Sequence, residues 1–430
     1  AENVESPFRS CYAGEEEHGS VRLPRSAGGK GRWEADEANK PAEVEAIEAF
    51  LFSQAEFRHN VITHHCEIRW TEEAGFLPLT DRDVNTLWGR MNKTVGRVYL
   101  TDIYNVIHSE FVPLFNPFQS YFDHLPSWDG VSDPIGDLAD TVHVKSDQAE
   151  FRDYFRKWFV GILPALLDDT VVNHEILVLI GEQGLYKTTW FNFLLPPELR
   201  CYFYTKTNSD RLNKDDLFSL TEFALICFEE LDGMRPAELN QLKAMVTMPY
   251  VNERAAYGRN KERHPHIASF CGTGNNVQFL TDPTGNRRWL PFEVSQIRDP
   301  HQHAIPYELV YSQAYALWKS GFCHWFSQEE IRKLNMHNSR FEVPNLEEDL
   351  IRTHFRKPFE GETGIFVTAA DILEQISSCL RYPLSPNKIG RIMAGLEFES
   401  IRYKGKRGYI TVKKTGEDID RERRSGALGL

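Results

Sequence analysis

The sequence predicts an α/β protein built on a P-loop core, with an N-terminal helical domain before it and a C-terminal winged helix after it. Three observations carry that prediction. The apolar run ILVLI (176–180) leads straight into GEQGLYKTT and a helix-forming stretch, the strand–turn–helix order in which backbone N–H groups and a helix N-terminus converge on an anion. From residue 173 short apolar strands alternate with helical stretches, the form taken by a sheet covered with helices. Near the end of the chain two helical stretches precede two short basic strands, an order that suits a winged helix.

Taken in order, residues 1–40 are rich in Gly, Ser, Glu and Arg without apolar periodicity and read as a linker or disordered lead-in. The chain starts with Ala, which fits methionine removal and equally a fragment of a longer polypeptide. Apolar residues recur at helical spacing from PAEVEAIEAFL (41–51), and residues 41–165 are expected to form a mainly helical domain. Residues 166–300 hold the α/β core, with strands expected at 175–180, 201–206, 223–228, 266–272 and 288–294. A helix over 236–246 opens on Pro236, which suits a first helical turn. Residues 301–360 read as a helical extension. Residues 361–416 read as the winged helix, with helices in 368–380 and 385–396 and a hairpin turning on Gly405, and 417–430 as a flexible tail.

Composition restricts the function classes. A 430-residue chain with 41% hydrophobic and 26% charged residues is that of an ordinary globular protein of several domains. Its longest apolar runs fall far short of the ~20 residues that span a bilayer, so no membrane partner is expected. The polar, acidic first segment has no signal-peptide pattern. Seven scattered cysteines without a C-x-x-C pair fit a reducing, cytoplasmic location better than a disulfide framework or zinc ribbon. Net charge is −13, yet residues 381–414 carry nine Lys/Arg against two Glu, a local balance of +7. That end of the chain is the expected polyanion contact.

Three stretches carry chemistry. In Gly181-Glu182-Gln183-Gly184-Leu185-Tyr186-Lys187-Thr188-Thr189 the loop can cradle phosphates, Lys187 can reach their terminal oxygens and Thr188 can ligate Mg²⁺. Tyr186 stands where the motif has its second glycine. Left-handed backbone there costs an aromatic residue roughly 1–3 kcal/mol, so Tyr186→Gly is expected to tighten ATP binding unless the loop already accommodates the ring. In LICFEELD (225–232) a strand delivers Glu229, suited to the metal, and Glu230, suited to activating water. In SFCGTGNNVQFLTDPTGNRRW (269–289) Asn275 can orient that water, and Arg287 or Arg288 can reach a neighbouring subunit's phosphates. A basic turn with Tyr257, Arg259, Lys261, Arg263 and His264 can follow a nucleic-acid backbone.

The order of loop, paired acids, LK…ER…YGR, GTGN and D-x-TGNRRW-x-P-F resembles the virulence-associated protein E family, which looks like the superfamily 3 helicases and poxvirus-type primase-helicases of viruses and mobile elements. NPFQSYFDHLPSWDG (116–130) matches the family's N-P-x-x-x-Y-x-x-x-L-x-W-D-G pattern, so the resemblance covers roughly residues 45–300. It implies an AAA+-like ATPase using ATP and Mg²⁺, assembled as a homo-oligomeric ring, usually a hexamer, on single-stranded DNA. By motif, Gly181, Gly184, Lys187 and Thr188 would hold nucleotide and metal, Glu229 would assist the metal, Glu230 would activate water and Asn275 would sense the γ-phosphate. Arg254 would lie near the subunit boundary, and residues 257–264 would form a pore hairpin. The basic wing with Arg402, Lys404, Lys406 and Arg407 would contact DNA. The expected function is an ATP-dependent DNA helicase or primase-associated helicase, with a primase domain or partner. A nucleotide-gated DNA-binding protein and a DNA-sensing defence ATPase are the alternatives.

Overall fold

The computed structural model describes residues 42–71, 75–207, 214–253, 262–281, 286–344, 346–359, 361–377 and 385–424. The chain divides after Phe115 into two compact units. The lead-in, the expected boundary residue Arg254, most of the pore-hairpin tip (Tyr257, Arg259, Lys261) and the last residues of the tail lie outside the described residues.

The first unit carries more strand than its sequence suggests. Helix α1 (Val44–Gln54) passes directly into β1 (Ala55–Asn60), which pairs antiparallel with β2 (His65–Trp70), Phe57 facing Ile68. Short β3 (Leu77–Pro78) and β4 (Leu114–Phe115) complete a sheet ordered β3-β2-β1-β4. Helices α2 (Asp81–Thr94) and α3 (Leu100–Ile107) bury Leu87, Met91 and Ile103 in the same core as Leu51, Phe57 and Ile68. A mainly helical domain over 41–165 is therefore corrected to a mixed one ending at 115. In AEFRHN and HCEIRW alternate residues face the core and the rest are polar or charged, a weak strand signal without Gly or Pro at the α1 boundary.

The second unit opens with α4 (Pro117–Asp123), capped by Asn116 Oδ1 accepting from the backbone N–H of Phe118 (3.0 Å) and Gln119 (3.1 Å). Helix α5 (Pro134–Ala139), strand β5 (Val142–Val144) and helix α6 (Gln148–Leu167) follow. The central sheet adds β6 (Ile176–Ile180), β7 (Phe203–Lys206), β8 (Leu225–Phe228), β11 (Ser269–Gly274) and β12 (Trp289–Ile297), in the order β5-β12-β6-β11-β8-β7. All neighbours are parallel except β5 on β12. Between the strands lie α7 (Lys187–Phe193), α8 (Lys214–Glu222), α9 (Pro236–Val246) and the antiparallel pair β9 (Tyr250–Glu253) and β10 (Glu262–Pro265).

Every residue of β6 is buried, so both sheet faces are covered. One face packs Ile176, Val178 and Phe270 against Leu239, Leu242 and Val246 of α9. The other meets α6, whose Phe151 packs edge-on to Phe292 and whose Trp158 Nε1 donates to the Phe270 carbonyl at 3.0 Å. Helix α6 thus belongs to the sheet and not to an N-terminal domain. Helices α10 (Tyr307–Lys319) and α11 (Gln328–Asn338) pack back on the core: Asn338 Nδ2 donates to the carbonyls of Asn286 (2.7 Å) and Trp289 (3.0 Å).

Helix α12 (Leu346–His354), β13 (Phe355–Arg356), β14 (Ile365–Val367), α13 (Ala369–Ser377), α14 (Pro386–Gly395), β15 (Ser400–Tyr403) and β16 (Lys406–Lys413) surround a separate core that includes Ile351, Ile372, Ile389 and Tyr409. Lys404 and Gly405 take left-handed backbone and turn β15 into β16, Tyr403 facing Lys406. The expected flexible tail is helical at its start: α15 (Gly416–Arg424) is capped by Thr415, whose N–H and hydroxyl both donate to Asp418 Oδ2.

Candidate functional site

Strand β6 sits between β11 and β12 while β7, next in the chain, lies at the far edge. Connections therefore diverge at the carboxyl end of β6, where open α/β sheets offer a crevice for a ligand. A cavity of about 420 Å³ lies there, and Lys187, Thr188, Glu229, Glu230 and Asn275 all line it.

The loop after β6 has left-handed backbone at Gly184 (φ 85°) and Tyr186 (φ 58°), flanking Leu185. That alternation turns successive N–H groups toward one point, as an anion requires. Gln183 to Thr189 line the cavity, whereas Gly181 and Glu182 enter the site through their carbonyls. Lys187 Nζ donates to Gly181 O (2.6 Å) and Glu182 O (2.7 Å), which leaves the ammonium a third donor. Burial pulls Lys187 below its usual value, and the charge of Asp232 opposes that shift. Thr188 Oγ1 donates to Glu229 Oε1 at 2.7 Å, which brings the two expected metal ligands together.

Tyr186 is the residue from which α7 starts. Its carbonyl accepts the first helical bond of α7 from Trp190 N at 2.7 Å, so the left-handed conformation is built into the start of the helix. The strain of about 1–2 kcal/mol then belongs to folding and not to nucleotide capture. Tyr186→Gly is expected to leave ATP affinity within about threefold, since relieved strain and added chain entropy act on the fold. Calorimetric titration checks this; tightening of tenfold or more would restore the strain-on-binding account.

After β8 the chain turns sharply. Glu230 is left-handed (φ 56°, ψ 44°) and caps a 3₁₀ turn over Leu231–Gly233. A non-glycine residue held there is a local strain of the kind that gathers at functional sites. Within that turn Asp232 Oδ1 accepts from Asn275 N (3.1 Å), and Oδ2 accepts from Asn276 N (3.1 Å) and Asn276 Nδ2 (2.7 Å). Sequence reasoning assigned roles to two of the three acids in LICFEELD and passed over this one, whose partners lie 43 and 44 residues away.

Other expected residues lie elsewhere. Arg287 is exposed and Arg288 half-buried at the start of β12, whose Trp289 pairs with Ile176 at the opposite end of β6 from the loop. About 15 Å of strand separates that edge from the cavity. Burial and Arg287 disfavour the charge on Arg288, and Glu175 favours it. On β10, exposed Arg263 stacks over Tyr250 at 3.6 Å, while His264 is buried at 7% exposure. The alternation of β10 turns His264 inward, which corrects its reading as a DNA contact. Arg402, Lys404, Lys406 and Arg407 are all exposed on the β15–β16 hairpin.

A mostly parallel α/β sheet with a polar crevice at its carboxyl edge is the class that this fold and site define. Residues 123–343 match the virulence-associated protein E-like domain, and the chain belongs to that family. No curated protein matches the chain. Among solved structures it is similar to the apo structure of the NrS-1 C-terminal region (305–718), at 12% identity and a TM-score of 0.45, with 86% of this chain and 99% of that chain covered. An A-form apo structure of the same region gives 12% identity and a TM-score of 0.44 over the same shares.

Proposed function

We propose that this chain is an ATP-dependent DNA helicase or primase-associated helicase of a mobile element or prophage, an AAA+-like P-loop ATPase acting as a homo-oligomeric ring. The observation that carries the reading is the single cavity shared by Lys187, Thr188, Glu229, Glu230 and Asn275. Its donor set fits the group. Left-handed residues at 184 and 186 suit phosphate oxygens, and a hydroxyl beside a carboxylate suits a hard cation that keeps its other positions for water and phosphate. Among the described residues no group of three or more His, Cys, Asp or Glu could hold a metal without such a substrate.

Lys187 would turn its free donor to the terminal phosphates, and Thr188 with Glu229 would hold Mg²⁺. When bound, the cation supplies neutralisation of developing phosphate charge. Glu230 would take a proton from the attacking water, and Asn275 would orient that water. Arg287 and Arg288 lie too far from their own cavity to serve it, which supports a role at a neighbour's.

The DNA arm rests on the β15–β16 hairpin. Arg402 faces Arg407 across it, and like charges directly opposite are destabilising unless a polyanion meets them. Tyr403, 52% exposed beside them, adds a ring for stacking. Three helices and a hairpin around one small core (α12, α13, α14, β15 and β16) support naming this part a winged helix. A cytoplasmic location belongs to the same reading; no described helix is long and apolar enough to cross a membrane.

DNA-stimulated phosphate release tests the reading. Wild type is expected to turn over ATP faster with single-stranded DNA, and Lys187→Ala to lose at least ~10²-fold, the scale of one transition-state donor. Equal activity of the two proteins, or an assembled wild type without turnover, would overturn it.

A further inference from the structure

The 3₁₀ turn after β8 is pinned on two sides. Leu231 is 1% exposed and anchors the turn in the core, while Asp232 reaches across to the end of β11. Its carboxylate spans two consecutive amides, those of Asn275 and Asn276, and also takes the Asn276 side-chain amide. Gly274 leaves the room for this approach: a Cβ there would lie 3.1 Å from Asp232 Oδ1. The same carboxylate acts electrostatically on Lys187. One side chain thus ties the turn that presents Glu230 to the loop that presents Asn275, beside the charge of Lys187.

We propose that Asp232 is the positioning residue of the site, a latch that fixes the water-activating and phosphate-sensing residues relative to each other. The inference rests on the ATPase reading and deepens it. Asp232 need not touch nucleotide. Its two oxygens hold backbone amides whose freedom would otherwise let Asn275 drift, and misplacement by about 1 Å costs on the order of 10²-fold in rate. Charge-assisted acceptance by a carboxylate makes the latch stronger than a neutral one. Asparagine can accept only one of the two amides and turns a donor against the other.

Asp232→Ala is expected to lower kcat by on the order of 10²-fold with nucleotide Kd within about threefold, and Asp232→Asn to fall between it and wild type. Amide hydrogen exchange at Asn275 and Asn276 should accelerate in nucleotide-free Asp232→Ala, a readout that requires no turnover. If Asp232 acts through Asn275, the Asp232→Ala, Asn275→Ala double variant is no slower than Asn275→Ala alone. An Asp232→Ala protein with wild-type kcat, a Kd that rises in step with the loss of rate, unchanged exchange, or a double variant slowed by the product of the single effects would each overturn the inference and leave the ATPase reading standing. Wild type that neither binds nor hydrolyses nucleotide would overturn both.

Discussion

Glu230→Gln is expected to abolish steady-state hydrolysis, by roughly 10³-fold, while ATP still binds. The carboxylate lies past the end of β8 on a left-handed residue, lining the cavity with Lys187 and Asn275. An amide of the same shape cannot accept a proton, and losing a positioned base costs about 10²–10⁴-fold. Binding should survive because the groups proposed to hold phosphate and metal are untouched: Lys187 stays on the loop carbonyls and Thr188 stays on Glu229. Glu229→Gln should behave differently and raise the Mg²⁺ concentration needed for half-maximal rate, since its oxygen is the one paired with the Thr188 hydroxyl. Phosphate release and binding of a fluorescent nucleotide, measured on the same samples, separate the two variants. Turnover of Glu230→Gln within tenfold of wild type would remove it from the base role.

The different fates of these acids show what a linear sequence can carry. ILVLI, LICF and SFCGTG are short and free of charged residues, and each became a fully buried strand with the candidate site residues past its carboxyl end. The helix over 236–246 was legible from Pro236 and its apolar spacing, because cap chemistry and burial agree there. Tyr186 was legible as a left-handed position, since it stands where the loop pattern has a glycine; that the strain belongs to the fold depends on the Trp190 bond and was not. Strand β1 was missed because Glu56, Arg58, His59 and Asn60 are polar, which leaves only Ala55 and Phe57 as its apolar residues facing the core. They find partners across the sheet, such as Glu67 for Arg58 at 2.5 Å. Asp232 was missed for a related reason. Its partners come from a strand end brought beside it by parallel pairing of β8 with β11, and nothing local in EELDG marks it. His264 erred in the opposite direction: a basic turn reads as one surface, while strand alternation gives Arg263 to solvent and His264 to the core.

Arg287→Ala is expected to stop turnover in assembled protein by ~10³-fold or more, the scale of an arginine supplied between subunits, without weakening ATP binding. Arg287 stands at the amino edge of the sheet and Lys187 at the carboxyl edge, with the length of β6 between them. A flexible arginine side chain reaches about 7 Å, less than half the roughly 15 Å of intervening strand, so any action of Arg287 on phosphate must be on a neighbour's. Of the two arginines Arg287 is the one free to project, since Arg288 is half-buried near Glu175. Complementation between two inactive variants tests action across the boundary. Neither Arg287→Ala nor Lys187→Ala should hydrolyse ATP alone, yet an equal mixture creates boundaries where an intact Lys187 meets an intact Arg287. Random mixing in a head-to-tail ring makes about a quarter of the boundaries complete, and hydrolysis should recover toward that fraction of wild type. The recovery should vanish if the proteins are mixed under conditions that block subunit exchange. An inert mixture of demonstrably co-assembled subunits would mean that Arg287 serves no neighbouring site, and the ring mechanism would lose its support.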